Sequence, residues 1–186
     1  MFIFGEMSII TNRGDDGMTD LMFGRRSAKT SERFAALGSI DELNAAIGLA
    51  RAADADARHT PILDRIQHVL FGLMGQLACM PEDLTRYAEK GYALVRQEDV
   101  DWLTETAMRI EGEGVRFTHW AVPGEDGSIL RAHLDVARTV ARRAERHVLL
   151  LHEAQGHVPE VVRLFMNRVS DLLWILARSG QEKPTR

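Results

Sequence analysis

The sequence predicts an all-α protein: an antiparallel bundle of four or five helices behind an N-terminal loop-rich head. Three observations carry this. Apolar residues recur at steps of three and four over long segments, Pro and Gly punctuate the gaps between them, and no segment alternates with the period of a strand. At roughly 150 residues per domain, 186 residues predict a single domain over 1–186, with an ordered head at 8–38 and the bundle at 39–180.

Each helix has its own signal. Ser39-Ile40-Asp41-Glu42 has the Ser-x-x-Glu form of a capping box, so the first helix is expected from Ser39 to about Ala53. Thr60-Pro61 offers an N-cap followed by a proline at the first helical position. Ile62, Ile66, Val69, Leu70, Leu73 and Leu77 follow at helical spacing, and Pro81 ends the run. The period is weak from Glu82 to Gln97. It returns from about Glu98 to Glu111 with Val100, Leu103, Ala107 and Ile110 on one stripe. Phe117 to Gly127 reads as a loop. A long helix from about Ser128 to His152 carries Leu130, Leu134, Ala137, Ala141, Ala144, Val148 and Leu151 at alternating steps of four and three, the pattern of a bundle seam. Val158-Pro159 opens the last helix, which Gly180 stops. Its Phe165, Met166, Leu172, Leu173 and Leu176 are expected in the core or in a subunit seam.

Composition narrows the function. Hydrophobic residues make up 45% and charged residues 27%, ordinary for a globular protein, and a domain this long can bury roughly 70% of its unfolded surface without a metal or disulfide. The net charge of −4 argues against a general binder of nucleic acid or membrane surfaces. A lone cysteine, Cys79, implies a reducing compartment. The apolar start is too short for a signal peptide, and Leu172–Ala177 is far short of the roughly 20 residues of a membrane span. The expected location is therefore the cytoplasm.

Charge on the helices is more specific. At 100° per residue, Arg131, Asp135, Arg138, Arg142 and Glu145 share a sector of about 80° on the long helix, with Arg143 and Arg146 beside it. Asp41, Asn44 and Arg51 share a face of the first helix, and Asn167, Ser170, Asp171 and Trp174 share one on the last. Such faces are either solvated and laced with weak ion pairs, or they meet an anion. Arg suits a polyphosphate, because its fork binds phosphate oxygens bidentately. The head points the same way. Thr11-Asn12-Arg13-Gly14-Asp15-Asp16-Gly17-Met18-Thr19 offers backbone donors, hydroxyls and carboxylates for phosphate and Mg²⁺, with Lys29 further on. It is neither a Walker A loop nor a G-x-G-x-x-G turn.

Four strings in order give a family resemblance: Thr11-Asn12-Arg13-Gly14-Asp15-Asp16-Gly17, Gly38-Ser39-Ile40-Asp41-Glu42-Leu43-Asn44, Ala137 to Arg146, and Asn167-Arg168-Val169-Ser170-Asp171-Leu172-Leu173. The chain resembles the PduO-type ATP:cob(I)alamin adenosyltransferases. That resemblance implies a helical bundle forming a homotrimer with ATP and corrinoid sites between subunits. It also implies transfer of the 5′-deoxyadenosyl group of ATP to the Co(I) of a reduced corrinoid such as cobalamin, with release of triphosphate. The reduced cobalt is the nucleophile, so the protein's tasks are positioning and charge stabilisation.

By the same resemblance, Thr11, Asn12, Arg13, Gly14, Thr19, Asp20 and Lys29 hold the triphosphate and its Mg²⁺. Arg142 meets the phosphates, Glu145, Arg146 and Asn167 complete the nucleotide pocket, and Arg143 is counted among the nucleotide-binding residues. Asp41 and Arg138 match a pair that joins neighbouring subunits. Trp120 stands where the family usually has Phe, in a loop with an apparent two-residue insertion. It either presses on the corrin face or plugs the end of the bundle. A corrinoid reductase and an adenosylcobalamin-dependent enzyme are the implied partners.

Other readings are weaker. A ferritin-like di-metal bundle needs Glu-x-x-His on two helices, which this chain lacks. His152-Glu153-Ala154-Gln155-Gly156-His157 is one residue too long for a zincin motif. The more serious rival is a non-catalytic corrinoid or ATP carrier or sensor on the same fold.

Overall fold

The computed structural model describes residues 10, 12–116, 120–155 and 158–180. Among these residues, six α-helices follow a small hairpin. Strands β1 (Met18–Asp20) and β2 (Arg26–Ala28) pair antiparallel with Thr19 opposite Ser27, and a 3-10 turn at Met22–Gly24 joins them. The helices are α1 (Glu32–Ala52), α2 (Thr60–Leu77), α3 (Leu84–Glu89), α4 (Gln97–Gly112), α5 (Ile129–Gln155) and α6 (Glu160–Arg178).

Two boundaries differ from the sequence reading. The head was expected to be free of strands, yet it contains the hairpin. And α1 begins at Glu32, capped by Ser31, whose hydroxyl accepts from Phe34 N–H. Ser39 is no cap: it is buried in mid-helix, with its hydroxyl donating to the Ala36 carbonyl. The apolar series Ala36, Ile40, Leu43, Ile47 and Ala50 is buried throughout and already steps by four and three from before the capping-box string. Tertiary burial of that stripe carries the helix through Gly38. At α2, Asp54 replaces Thr60 as the capping group. Its carboxylate accepts from the N–H groups of His59 and Thr60 at 2.8 and 2.7 Å and from the Thr60 hydroxyl at 2.9 Å. The weakly periodic stretch after Pro81 holds a 3-10 turn (Pro81–Asp83) and α3.

Packing runs α2 on α1, α1 on α5, α5 on α6 and α6 on α4. The Arg65 guanidinium over the Trp102 ring, 4.1 Å from its centroid, joins α2 to α4. Phe165, Met166, Leu172, Leu173 and Leu176 are fully buried, as their spacing implied.

The bundle has two distinct ends. The start of α1 meets the ends of α2 and α5, because Arg33 bonds the Leu77 carbonyl and Gln155 Oε1; the head sits here. At the far end, Arg131 near the start of α5 bonds the Ser179 carbonyl just past α6. With 27 residues, α5 spans about 40 Å between these ends.

Candidate functional site

In the head, the chain turns through Asn12 at φ 56° and closes with hydrogen bonds from Asp15 N–H to the Asn12 carbonyl and from Gly17 N–H to the Gly14 carbonyl. Lys29 ties β2 back to this loop. Its N–H donates to the Gly17 carbonyl at 2.9 Å and its ammonium to the Gly14 carbonyl at 2.7 Å. A Cβ on Gly14 would stand 2.8 Å from Lys29 Nζ, so glycine is what allows the ammonium so close. Asn12, Arg13, Gly14, Thr19, Asp20 and Lys29 all line one open cavity of about 390 Å³. The described head residues assigned to the triphosphate therefore face the same space, whereas Asp16 and Gly17 of the same string do not line it. Thr11 lies outside the described residues, as do Gly156 and His157 of the zincin-like string.

Asp20 would repel a phosphate if it stood alone. It does not, since Arg13 lies 3.3 Å and Arg26 Nε 3.8 Å from its carboxylate. Arg26 also reaches Asp16 at 3.3 Å and the Arg13 carbonyl at 3.0 Å. Arg26 organises the loop, and sequence reasoning missed it because its partners lie on the other side of the hairpin. Asp15 is exposed and forms no ion pair among the described residues.

A second cluster sits at the middle of α5 and on α6. Asn167 Nδ2 donates to Glu145 Oε1 at 3.1 Å, and Arg168 donates to Asn167 Oδ1 at 2.7 Å. Arg142 and Arg146 are exposed beside this pair, and neither is in an ion pair among the described residues. Partial burial pushes the Asp171 carboxyl above its ordinary value, and the Glu145 and Glu111 carboxylates add to this against the opposing pull of Arg168 and Arg142. Asp171 therefore belongs to the same electrostatic neighbourhood. Next to it, a groove of about 290 Å³ between α4 and α6 is lined by Met108, Glu111, Arg168, Asp171 and Trp174 among others.

The charged faces read from the sequence divide on folding. Arg143, about 100° around the helix from Arg142, turns toward α1 and pairs with its Glu42. Asp135 is buried and takes Arg138 at 3.1 Å and Arg178 at 2.7 Å. Arg138 is thus held by Asp135 within the chain, while Asp41 is exposed on α1. On α1, Asn44 is buried and Arg51 pairs with Asp64 of α2 at 2.9 Å. Ser170 turns into the core. Trp120, at the far end, is 87% exposed and does not plug the bundle.

No described hydrogen bond or ion pair joins residues 12–29 to Arg142, Glu145, Arg146 or Asn167. Arg142 lies about 20 Å along α5 from Gln155, which marks the head end. The head cluster, the α5–α6 cluster and Trp120 therefore occupy three levels of one molecule.

The family model described as cobalamin adenosyltransferase matches residues 9–179. The chain belongs to the cobalamin adenosyltransferase family. Among its relatives in that family, it is 39% identical over 172 residues to a corrinoid adenosyltransferase of Mycobacterium leprae, covering 91% of this chain and 89% of the relative. It is 36% identical over 176 residues to the corrinoid adenosyltransferase PduO of Salmonella typhimurium, covering 93% of this chain but 49% of that one, so it spans about half that relative's length. Its fold is similar to that of a PduO-type ATP:corrinoid adenosyltransferase variant from Lactobacillus reuteri complexed with cobalamin and ATP. There the TM-score is 0.80 at 29% identity, covering 92% of this chain and 89% of that one. No described helix is long and apolar enough to cross a membrane.

Proposed function

We propose that the chain transfers the 5′-deoxyadenosyl group of ATP to the Co(I) of a reduced corrinoid, as one subunit of a cyclic trimer. Each site would combine the head of one copy with the α5–α6 face of the next. The observation that carries this reading is the separation of the two clusters. Each is half a nucleotide site, and one chain does not bring them together.

In the reaction the electron pair on cobalt attacks C5′ of the ribose, the cobalt–carbon bond forms, and the C5′–oxygen bond breaks with its electrons leaving on triphosphate. The protein's contribution is charge placed in advance where the leaving group gains it. Asn12, Arg13, Thr19, Lys29 and the loop N–H groups suit the triphosphate, with Thr11 beside them in sequence. Arg142 and Arg146 supply guanidiniums from the neighbouring copy, and Glu145 with Asn167 suits the polar edge of the nucleoside.

Mg²⁺ is commonly held by one or two carboxylates plus substrate phosphates. Among the described residues no group of three metal-ligating side chains exists, and Asp16 and Asp20 are engaged by arginines. Asp15 is the head carboxylate left for a Mg²⁺ that arrives with ATP, and the ion would neutralise phosphate charge there. Asp41 and Arg138 are assigned to the contact between copies, and Trp120 to the corrin face, where it would exclude water. A cytoplasmic setting, with a reductase supplying Co(I) and a corrinoid-dependent enzyme taking the product, completes the reading.

Complementation tests it. Lys29→Ala and Arg142→Ala proteins are each assayed anaerobically with reduced cobalamin and Mg-ATP, following the corrin spectrum, and then dissociated, mixed and reassembled. Sites between copies give back about a quarter of wild-type activity, because one interface in four pairs two intact halves. No recovery from a reassembled mixture would refute the shared site. Binding of both substrates by the wild-type protein without product would identify a carrier or sensor instead.

A further inference from the structure

The hairpin has only three paired residues per strand, and a two-stranded hairpin of that size is marginal by itself. Its orientation must come from elsewhere, and its tip shows where. The end of α2 leaves backbone carbonyls without helical partners. The Ala78 carbonyl accepts Met22 N–H at 3.0 Å, while Arg33 takes the carbonyls of Leu77 and Cys79. In the turn that follows, Asp83 accepts Arg25 Nε at 2.8 Å, with Glu82 3.7 Å from the same guanidinium. The Arg86 guanidinium lies 4.3 Å from the centroid of the Phe23 ring. Phe23 itself sits at φ 58°, a conformation that a bulky residue keeps only when its surroundings impose it. The opposite end of the hairpin carries Lys29, bonded to Gly14, with Thr19 at the middle of β1. None of Arg25, Asp83 and Arg86 lines the head cavity.

We propose that Arg25 and Asp83 are positioning residues for ATP: their ion pair clamps the hairpin tip to the segment after α2 and so aims the phosphate-binding end of the hairpin. This rests on the reading of the head as the triphosphate site. Because the clamp touches no substrate, its loss acts on nucleotide binding and leaves the corrinoid side and the helical core alone.

The experiment is a double-mutant cycle with Arg25→Ala, Asp83→Ala and the double variant, read as KM for Mg-ATP, KM for reduced cobalamin, kcat and thermal midpoint. Lys29→Ala is the reference and Arg25→Lys the conservative control. Each single alanine is expected to raise the ATP KM about three- to fivefold, the scale of a partly exposed ion pair. The double variant is expected to be no worse than either single. Arg25→Lys stays near wild type, and kcat, the cobalamin KM and the midpoint barely move. If Lys29→Ala raises the ATP KM while the clamp variants do not, the clamp is overturned and the head reading stands. If Lys29→Ala itself leaves the ATP KM unchanged, the head reading falls and the clamp with it. Additive singles would overturn the pair as the carrier of the effect.

Discussion

Asp135 on α5 accepts a hydrogen bond of 2.7 Å from Arg178 at the end of α6, and both side chains are less than a tenth exposed. The same guanidinium lies over the ring of Trp174, its carbon 5.0 Å from the ring centroid. A charge pair this deep is held in place by its geometry, because neither partner can return to water without opening the α5–α6 seam.

Removing one partner is therefore costly. Asp135→Ala leaves Arg178 buried without its carboxylate and should destabilise the fold by about 3 kcal/mol or more. Urea unfolding of the variant measures this. A loss under about 1 kcal/mol would mean that water reaches the pair.

Arg142 is the opposite case, exposed and outside any described ion pair. Arg142→Ala should leave stability within about 0.5 kcal/mol of wild type while lowering kcat by about 10²–10³, the usual cost of losing a charge aimed at a leaving group. The anaerobic cobalt–carbon assay and a thermal melt on the same sample separate the two effects. Near-normal turnover would remove Arg142 from the site.

At Gly14 the nearest atoms in the way belong to the flexible end of Lys29, at 2.8 and 3.1 Å, with the Met18 carbonyl oxygen next at 3.3 Å. In Gly14→Ala the ammonium swings off the Gly14 carbonyl, with little effect on stability. The expected consequence is an ATP KM about fivefold higher, the scale of one hydrogen bond of about 1 kcal/mol. Titration with Mg-ATP reads it directly, and an unchanged KM would show that the Lys29–Gly14 contact is dispensable.

His59 is buried at the far end, its Nε2 3.3 Å from the Ser179 hydroxyl. Burial holds its imidazole below the ordinary value of 6.5; Arg58 and Arg131 push the same way, while Asp54 and Glu113 oppose. The folded state thus favours neutral imidazole. Its contribution to stability is complete above about pH 6.5 and is lost as the pH falls toward and through the lower folded value. Midpoints of urea unfolding between pH 7.5 and pH 5, in buffers of about equal ionic strength, should fall more steeply for wild type than for His59→Gln. Parallel curves would mean that His59 is solvated.

The helices were legible because burial imposes a period on sequence. Leu134, Ala137, Ala141, Ala144, Val148 and Leu151 are all buried on α5, and their spacing alone places them on one face. The start of α1 was misplaced for a physical reason: Ser39-Ile40-Asp41-Glu42 has the local chemistry of a cap, but the packed stripe from Ala36 outweighs it. Arg33 and Arg178 went unnoticed as buried charges, because nothing in their immediate sequence marks them. Arg33 finds backbone carbonyls at Leu77 and Cys79 and a side chain at Gln155, 122 residues away.

By itself the sequence determined the helical class, the family resemblance and the residue types suited to a polyphosphate. Periodicity and ordered motifs are local properties, readable one segment at a time. Only the tertiary structure decided which charges are engaged and which remain available. Arg143 goes to Glu42 and Arg138 to Asp135, while Arg142 and Arg146 stay exposed. The fold also decided that Lys29 and Arg142 stand apart in one molecule, because distance between helices depends on how they pack and not on spacing along the chain.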